Sequence, residues 1–258
     1  MTVEVYTFCW NEMAVLPWAV DYWRRYAQKV TVFDNGSTDG SVEFMKKHRD
    51  LIDVVPYSTP GMDNDIVRNM KNDCWRQAKG RADLVVVCDL DEMLIPMRDS
   101  LWRMCLSGAT ICRPVWYDLV SYEVPCHQEG IDKMYLHEQR PLAIYHPEGP
   151  KAVLFNPNKI ENINYTPGAH QCKPEGEVKW YGGGDMYLLH VNHNFSLEYK
   201  VKRYEQLHQR RSRNDLNKSY GIHYQMTPKQ IADQMAADRK GAINLCQVIG
   251  WNKTTEQR

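Results

Sequence analysis

The chain has 258 residues, of which 43% are hydrophobic and 25% are charged, and these values predict one large α/β domain. Lysine and arginine together number 32, as do aspartate and glutamate. The chain therefore lacks the excess of positive charge that would predict a nucleic-acid partner. The eight cysteines lack a CxxC pair and framework spacing, which favours reduced thiols in a cytoplasmic protein. No stretch approaches the ~20 apolar residues of a membrane span, and we expect no signal peptide before the first strand.

The first ninety residues alternate between strand and helix patterns. Short apolar runs predict strands over 3–8, 30–33, 51–55 and 84–91. Strands that alternate with helices form a parallel sheet with right-handed crossovers, so the first half is predicted to be a nucleotide-binding type of α/β fold.

Three helices are predicted between these strands. The second covers 42–48 with Asp39 or Ser41 as its N-cap, and the third runs from Asp63 or Asn64 to about residue 79. The predicted buried faces are Val15, Trp18, Tyr22 and Tyr26 in the first helix and Val67, Met70, Cys74 and Ala78 in the third. Both sets have the spacing of one helix face.

The second half has a less regular pattern. Strands are predicted over 109–117, 119–124, 141–145, 152–155 and 186–191, and helices over 99–106 and 196–208. A last helix starts at a capping box formed by Thr227 and Gln230, buries Ile231 and Met235, and ends at Gly241. No internal repeat or linker divides the chain.

Acidic residues end the fourth predicted strand. Asp89, Asp91 and Glu92 follow the apolar run of residues 84–87, at the end of a parallel strand where α/β sheets place their ligand crevice. On an extended backbone, residues two apart point to the same side. Two such carboxylates repel each other unless a cation holds them, and a hard divalent cation that also takes a substrate diphosphate fits. The alternative is a surface turn with solvated acids.

Three strand ends together carry a family resemblance. Asn11-Glu12 follows the first strand, the run Asp-Asn-Gly-Ser-Thr-Asp-Gly-Ser of residues 34–41 follows the second, and Asp-Leu-Asp-Glu of 89–92 follows the fourth. This arrangement resembles a family-2 glycosyltransferase, in particular the branch with a DxDE motif found in surface-glycan gene clusters. The resemblance is strong over 1–97 and weak over 140–200.

The resemblance implies a GT-A fold, with a Rossmann-like, mostly parallel central sheet flanked by helices and a less regular C-terminal half. It implies one domain with a nucleotide-sugar-binding half (1–97), an acceptor-side half (98–195) and C-terminal helices (196–258). The implied donor-binding residues are Thr7, Cys9, Asn11, Glu12, Asp34, Asn35, Arg68, Asn72, Asp89, Leu90 and Lys151. Plain turn chemistry is the alternative for Asp34 and Asn35, and a solvated helix face is the alternative for Arg68 and Asn72.

The resemblance also implies a metal and a base. Asp89 and Asp91 would hold Mn²⁺ or Mg²⁺, which stabilises the leaving nucleoside diphosphate as a Lewis acid. His190 would be a third ligand, or a histidine that is only hydrogen-bonded at a strand end. Asp185 is the predicted general base, with Glu129, His170 and His193 as competitors, and His170 and Trp180 are predicted on the acceptor side.

One basic stretch stands out, from Lys200 to Arg213. It would clamp a diphosphate, meet an anionic acceptor or rest peripherally on the inner face of the membrane; the alternative is a solvated helix face. We expect a metal-dependent, inverting glycosyltransferase that moves a sugar from a nucleoside-diphosphate-sugar to a glycan or lipid-linked acceptor in surface-polysaccharide or glycoconjugate synthesis. A silent glycan-binding relative is the first alternative. A nucleotidyltransferase ranks third, because residues 8–14 contain no glycine for a phosphate loop.

Overall fold

The computed structural model describes residues 1–121, 123–129, 133–147, 151–182 and 184–252. Its strands are β1 (Val3–Cys9), β2 (Lys29–Asp34), β3 (Ile52–Pro56), β4 (Leu84–Val87), β5 (Glu92–Pro96), β6 (Ile111–Cys112), β7 (Val115–Leu119), β8 (Leu142–Tyr145), β9 (Leu154–Phe155), β10 (Ile160–Asn162), β11 (Glu175–Gly176), β12 (Trp180–Tyr181), β13 (Met186–His190) and β14 (Ile243–Asn244).

The α-helices are α1 (Leu16–Trp23), α2 (Ser41–Lys47), α3 (Asn64–Asp73), α4 (Ser100–Leu106), α5 (Leu136–Gln139), α6 (Leu197–Gln209), α7 (Arg213–Asn217), α8 (Pro228–Lys240) and α9 (Leu245–Val248). Short 3₁₀ helices cover Cys74–Ala78, Pro167–Ala169 and Ile222–Gln225.

The main sheet has the strand order β12-β6-β9-β4-β1-β2-β3. β4, β1, β2 and β3 are parallel neighbours, and β9 pairs antiparallel with both β4 and β6. The helices between the parallel strands bury their apolar sides against this sheet, which is why residues 3–9 are buried along the whole strand. The predicted fold class, a mostly parallel α/β sheet flanked by helices with a less regular second half, is confirmed.

A second sheet begins directly after the fourth strand, in the order β14-β8-β7-β13-β5. The predicted strand over 84–91 is therefore wrong in length, because β4 stops at Val87 and β5 starts at Glu92. Asp89 and Asp91 lie in the turn between the two sheets. They do not share one face of an extended strand, and each carboxylate has its own surroundings.

Most local patterns behave as predicted in the first half. Val15, Trp18, Tyr22 and Tyr26 are all buried at or beside α1. Asp63 caps α3, because its side chain accepts hydrogen bonds from the backbone of Asp65 and Ile66. The N-cap of α2 is Gly40 in the left-handed conformation, so Asp39 and Ser41 are wrong as predicted caps.

The predicted buried face of the third helix is correct at Ala78 and wrong at its other positions, which are only half-buried. The structure buries Lys71, Trp75 and Ala78 on one face, whereas Val67 and Met70 are half-buried. A lysine occupies the inward position because it meets a carboxylate there, and the helix changes to 3₁₀ at Cys74.

The second half follows its predicted helices more closely than its predicted strands. Ser196 caps α6, and Thr227 and Gln230 form the capping box of α8, whose Ile231 and Met235 are buried. The strand predicted over 119–124 is absent from the described residues there, because β7 ends at Leu119. All eight cysteines are free. Within the described ranges, no helix has the length and apolarity to span a membrane.

Candidate functional site

A cavity of about 320 Å³ opens at the carboxyl ends of the parallel strands. We call it the strand-end cavity. Phe8 and Cys9 border it from β1, Asn35 from the end of β2, and Asp89 and Asp91 from the turn after β4. This is where an open α/β sheet holds its ligands, since the strand order reverses around β1 and β4 and leaves a crevice between the connecting loops.

The first carboxylate of the acidic turn is neutralised by lysines. Asp89 accepts hydrogen bonds from Lys71 at 2.5 Å and from Lys151 at 3.2 Å, and Lys151 also pairs with the buried Glu92. Glu92 in turn accepts the backbone N–H of Asp89 at 3.0 Å, which closes the turn. Burial alone would raise the pKa of Asp89, but the two ammonium groups outweigh it and hold the pKa well below its usual range.

The second carboxylate faces a histidine. Asp91 Oδ2 lies 3.4 Å from His190 Nε2, and His190 Nδ1 lies 2.9 Å from Asp118 Oδ1. Asp118 also accepts from Trp116 Nε1 at 2.9 Å and lies 2.9 Å from His146 Nε2. Burial opposes ionisation of Asp91, but His190 lowers the pKa of Asp91 to about 2. Burial would lower the pKa of His190, yet Asp91 and Asp118 raise it well above the ordinary value.

The sheet register explains this arrangement. In the second sheet, His190 at the end of β13 pairs with Glu92 on one side and with Asp118 on the other. The backbone N–H of Val191 then donates to the carbonyl of Asp91 at 2.9 Å. The acidic turn and the end of β13 are therefore fixed to each other by main-chain hydrogen bonds.

The basic stretch turns inward along α6. Arg203 pairs with Glu12 and donates to the carbonyl of Trp10 at 2.9 Å, and Arg210 donates to the carbonyl of Asn35 at 3.1 Å. Both guanidinium groups lie over the Trp10 ring, at 5.0 and 4.0 Å from its centre. Burial raises the pKa of Glu12 to about 8, although Arg203 lowers it. Nε and Nη1 of Arg203 are buried without a partner in the described structure.

This inward direction bears on the predicted roles of the stretch from Lys200 to Arg213. Lys200 is buried and donates to Asn194 at 2.6 Å, while Lys202 and Arg213 remain exposed. Several of the positive charges therefore belong to the interior or to the cavity, so the stretch is not the continuous basic surface that membrane contact would need.

The segment after α6 is tied to the first half of the chain. Met62 donates to the carbonyl of Arg210 at 2.7 Å and accepts from the backbone of Ser212 at 2.8 Å. Gly61, at φ +95°, lies so close to the Arg210 carbonyl that a Cβ atom there would collide with it. The helical part thus covers the strand-end cavity at a fixed position.

A strained corner forms another wall of the cavity. Asn192 and His193 follow β13 one residue after its end, and both have positive φ, at 48° and 55°. Consecutive left-handed residues other than glycine are costly and concentrate at functional sites. The buried Nδ1 of His193 has no partner among the described residues, and burial lowers the pKa of His193 to about 3, so its imidazole is neutral.

The structure brings many of the predicted site residues to the strand-end cavity. Those that line it are Cys9, Glu12, Asn35, Asp89, Leu90, Asp91, Lys151, His170 and His190. Asn11 instead accepts the backbone N–H of Thr38 at 2.7 Å, and Thr7 is buried within β1. Asp34 accepts the backbone N–H groups of Gly36 and Ser37 at 3.0 and 3.1 Å, which is the turn chemistry that was the alternative.

Other predicted residues lie away from the cavity lining. Arg68 pairs with Asp65 at 2.9 Å, and Asn72 accepts the backbone N–H of Tyr165 at 2.7 Å. Trp180 is exposed and stacks with Arg113, whose guanidinium lies 4.3 Å from its ring centre. Glu129 is also exposed.

Asp185, the predicted base, lies at the other end of β13 from His190. A five-residue strand separates them, which corresponds to roughly 15 Å along an extended chain. Its carboxylate pairs with Arg103 at 2.7 Å and accepts from Tyr181 at 3.2 Å. The structure therefore does not bring Asp185 to the residues of the strand-end cavity.

Several residues of the site were absent from the sequence prediction, among them Trp10, Lys71, Asp118, Arg203 and Arg210. The sequence showed the positive charge of the stretch that contains Arg210. It did not predict that the side chain of Arg210 points inward. Asp118 and Lys71 carried no local signal, since only the β7–β13 register and the packing of α3 bring them to the acidic residues.

The side chains in the cavity match the predicted metal site only in part. Within the described ranges, no group of three or more histidine, cysteine, aspartate or glutamate side chains is arranged to hold a metal ion. Asp89, predicted as a ligand, is occupied by two lysines. Asp91 and His190 face each other, and Asp118 orients the histidine from behind, as carboxylates do for histidine ligands.

The α/β architecture and the strand-end cavity are those of a domain that binds its ligand at the strand ends, and sequence comparison identifies the class of the protein. A model of glycosyltransferase family 92 matches residues 7–137, half of the chain. The protein belongs to glycosyltransferase family 92 and is a glycosyltransferase. The expected class is confirmed, whereas the family-2 DxDE branch remains a prediction. No curated protein sequence matches the chain.

Solved structures resemble the chain more distantly. S. aureus TarS, residues 1–349, has 10% identity and a TM-score of 0.45, with 93% of this chain and 71% of that chain covered. Glucosyl-3-phosphoglycerate synthase from Mycobacterium tuberculosis, in complex with Mn²⁺, uridine diphosphate and glucosyl-3-phosphoglycerate, has 19% identity and a TM-score of 0.30. That match covers 45% of this chain and 44% of the synthase chain, so less than half of the synthase is matched.

Proposed function

We propose that the protein transfers a sugar from a nucleoside-diphosphate-sugar to a hydroxyl group of a glycan or lipid-linked glycan. In this proposal the reaction uses Mn²⁺ or Mg²⁺ and inverts the configuration at the transferred sugar. Its place is in surface-polysaccharide or glycoconjugate synthesis. The observation that carries the proposal is one cavity in which an acidic turn faces two arginines. Asp91 with His190 and Arg203 with Arg210 all line it. A nucleoside diphosphate and its metal ion need this combination of charges.

The nucleotide end of the donor fits the side of the cavity near β1 and β2. Phe8 and Tyr57 line it as an aromatic pair, with ring centres 6.3 Å apart, and Asn35 lies beside them. Arg203 and Arg210 lie over Trp10 close to the same strand ends. The unpartnered nitrogens of Arg203 offer charge-assisted hydrogen bonds to diphosphate oxygens, which are stronger than neutral ones.

The residues present fit a metal ion with few protein ligands. Asp91 and His190 would hold it, and Asp118 would keep Nε2 of His190 directed at the site. The bound ion would supply Lewis-acid stabilisation of the charge on the leaving diphosphate. Asp89, whose carboxylate is already neutralised by Lys71 and Lys151, keeps the acidic turn in place instead.

Inversion requires a group that accepts the proton of the attacking hydroxyl. Of the candidates named from the sequence, His170 and His193 line the cavity. We assign the proton acceptor to His193, because its buried Nδ1 atom has no hydrogen-bond partner among the described residues. Burial disfavours the protonated form of this imidazole, whereas the negative charge of a bound donor diphosphate favours it. Its left-handed backbone conformation is consistent with a position selected for function.

A thermal-shift screen tests the donor part of the proposal. Uridine, guanosine, cytidine and thymidine diphosphates are added with and without Mn²⁺, and one of them should raise the melting temperature, with a further rise when Mn²⁺ is present. Binding to the native state at a hundredfold excess over Kd adds about 2.7 kcal/mol to the free energy of unfolding. If none of the diphosphates stabilises the protein, with or without Mn²⁺, the proposal is wrong.

The proton-transfer assignment is tested with His193→Gln. We expect turnover with the donor identified by the screen to fall by about 10²–10⁴-fold, the usual contribution of a general base. The affinity for the nucleoside diphosphate should remain within about threefold by calorimetry, since hydrogen-bond capacity is kept. His208→Gln, on the helix α6, is the matched control. Unchanged turnover in His193→Gln would move the role to another group.

A further inference from the structure

A second cavity, of about 260 Å³, lies beside the first. We call it the side cavity. Its polar lining includes Asn192, Tyr204, Gln234 and Asp238, and its apolar lining includes Ile144 and Ile231. β8, the corner after β13, α6 and α8 all contribute to it, so it is built from parts of the chain that lie outside the donor half.

The two cavities meet at one wall. Asn192 lines both of them. Asp118, in the side cavity, contacts His190, in the strand-end cavity, at 2.9 Å. Tyr204 of the side cavity packs edge-on against His193, with ring centres 6.5 Å apart. A molecule in the side cavity would therefore lie next to the end of the donor site that contains Asp91 and His190.

Asn192 has the features of a ligand-contacting residue. It is held in a left-handed conformation at φ 48°, and its half-buried side chain makes no hydrogen bond to the described residues. An amide carries two donors and an acceptor, and near an interior these usually find partners. A polar ligand at the wall between the cavities would provide those partners and help to explain the strain.

The lining indicates a neutral sugar. The charged groups of the side cavity have hydrogen-bond partners, because Asp118 faces His146 at 2.9 Å, and Lys200 donates to the neutral amide of Asn194 at 2.6 Å. Gln234 donates to Asp238 at 2.6 Å. Carboxylates and cationic groups line the cavity together, so the lining does not select an ion of one sign. Amide, carboxylate and phenol groups beside apolar Ile144 and Ile231 suit a pyranose, with polar edges and an apolar face.

We propose that the side cavity binds a neutral pyranose unit of the acceptor. In this proposal Asn192 hydrogen-bonds the sugar at the wall where the sugar's reacting hydroxyl group enters the strand-end cavity. This inference rests on the proposed function and deepens it by placing the acceptor and naming its chemical class. Asn192 is a specificity-determining residue in this scheme, and Gln234 and Asp238 bind the outer edge of the sugar.

The test fills the side cavity from its exposed rim. Gln234→Trp places an indole into it from α8, while Ala236→Trp, at an exposed position on the other face of the same helix, is the matched control. The probes are the methyl glycosides of glucose, galactose, mannose, fucose, rhamnose and N-acetylglucosamine. Saturation-transfer NMR of the wild type should show at least one of them bound, with the signal reduced at least fivefold in Gln234→Trp and kept in Ala236→Trp.

Two further measurements separate this proposal from the proposed function. Binding of the nucleoside diphosphate found in the thermal screen should be equal in all three proteins, since Gln234 does not line the strand-end cavity. Asn192→Ala should weaken the bound glycoside at least threefold. If nucleotide binding is normal but no glycoside binds, or Gln234→Trp leaves the glycoside signal unchanged, the side cavity is not the acceptor site. If no nucleotide binds at all, the proposed function itself fails.

Discussion

Two acid-rich turns lie at the same edge of the main sheet, on either side of β1, yet they differ in how their acids are used. The turn after β2 is closed mainly by local bonds: Asp34 accepts backbone N–H groups two and three residues on, and Asp39 accepts that of Ser41. The turn after β4 is bound by side chains from distant parts of the chain. Its partners are Lys71, Lys151 and His190.

The acids after β2 form a turn, whereas the acids after β4 form a site. Short acidic side chains commonly bond the backbone of their own turn, and such bonds require nothing from the rest of the fold. Charged partners brought from 18 and 62 residues away must be desolvated and positioned by tertiary structure. We therefore expect the turn after β2 to be mainly structural and the turn after β4 to decide donor binding and catalysis.

Among variants of the two turns, the largest effect is expected from Asp91→Asn. The substitution keeps the shape of the side chain and removes the charge that faces His190 and, in our proposal, the metal ion. We expect turnover to fall by about 10²–10³-fold, as when one preorganised electrostatic group is lost. The Mn²⁺-dependent part of nucleotide stabilisation should disappear in a thermal-shift assay, while the protein remains folded by circular dichroism. Full turnover in Asp91→Asn would contradict the assigned role of the acidic turn.

Lys151→Met tests the buried charge network of the same turn. Its ammonium group serves both Asp89 and Glu92, and the side chains of Lys151 and Glu92 are 5% and 0% exposed. Removing one member of a buried ion pair costs about 3–5 kcal/mol, because a charge stays buried without its partner. Urea unfolding measures the loss.

The matched control for this variant is Lys159→Met. Lys159 pairs with Glu177 at 2.8 Å, but both side chains are nearly half exposed, so we expect a clearly smaller loss than in Lys151→Met. Equal losses in the two variants would show that the network around Asp89 is not the rigid element that we describe.

Asp34→Ala tests the turn after β2. Loss of the hydrogen bonds to Gly36 and Ser37 should lower the free energy of unfolding by about 1–2 kcal/mol. Nucleotide affinity should change less than threefold, whereas Asn35→Ala, which removes a side chain that lines the cavity, should weaken it more. Calorimetric titration with the bound nucleoside diphosphate measures both. A tenfold loss in Asp34→Ala alone would restore the donor-binding role that the family resemblance implied.

The smallest effect is expected from Asp185→Asn. Asp185 pairs with Arg103 on a partly exposed surface, with 24% and 49% of the two side chains accessible, so the pair contributes less than about 1 kcal/mol. We expect turnover within twofold of the wild type in a sugar-transfer assay. Loss of turnover with intact nucleotide binding would return the general base to Asp185 and remove it from His193.

Local patterns in the sequence predicted much of the framework. The four parallel strands, the buried stripe of α1, the cap Asp63 and the capping box of Thr227 and Gln230 all lie where apolar periodicity and capping chemistry indicate. Each depends on residues within one helical turn or one strand, so the information is present in a short window. The acidic residues at the strand ends were recognised for the same reason.

Only the tertiary structure decided which partners those acids meet. Lys71 is buried because α3 packs over the acidic turn, and Asp118 reaches His190 because β7 pairs in parallel with β13. The basic stretch faces inward because main-chain bonds tie Arg210 to Met62. Sheet register and helix packing fix these contacts between residues far apart in the chain. Hydrophobic periodicity does not predict such contacts. The sequence alone therefore located the acidic residues of the site, but not the cations and histidines that face them.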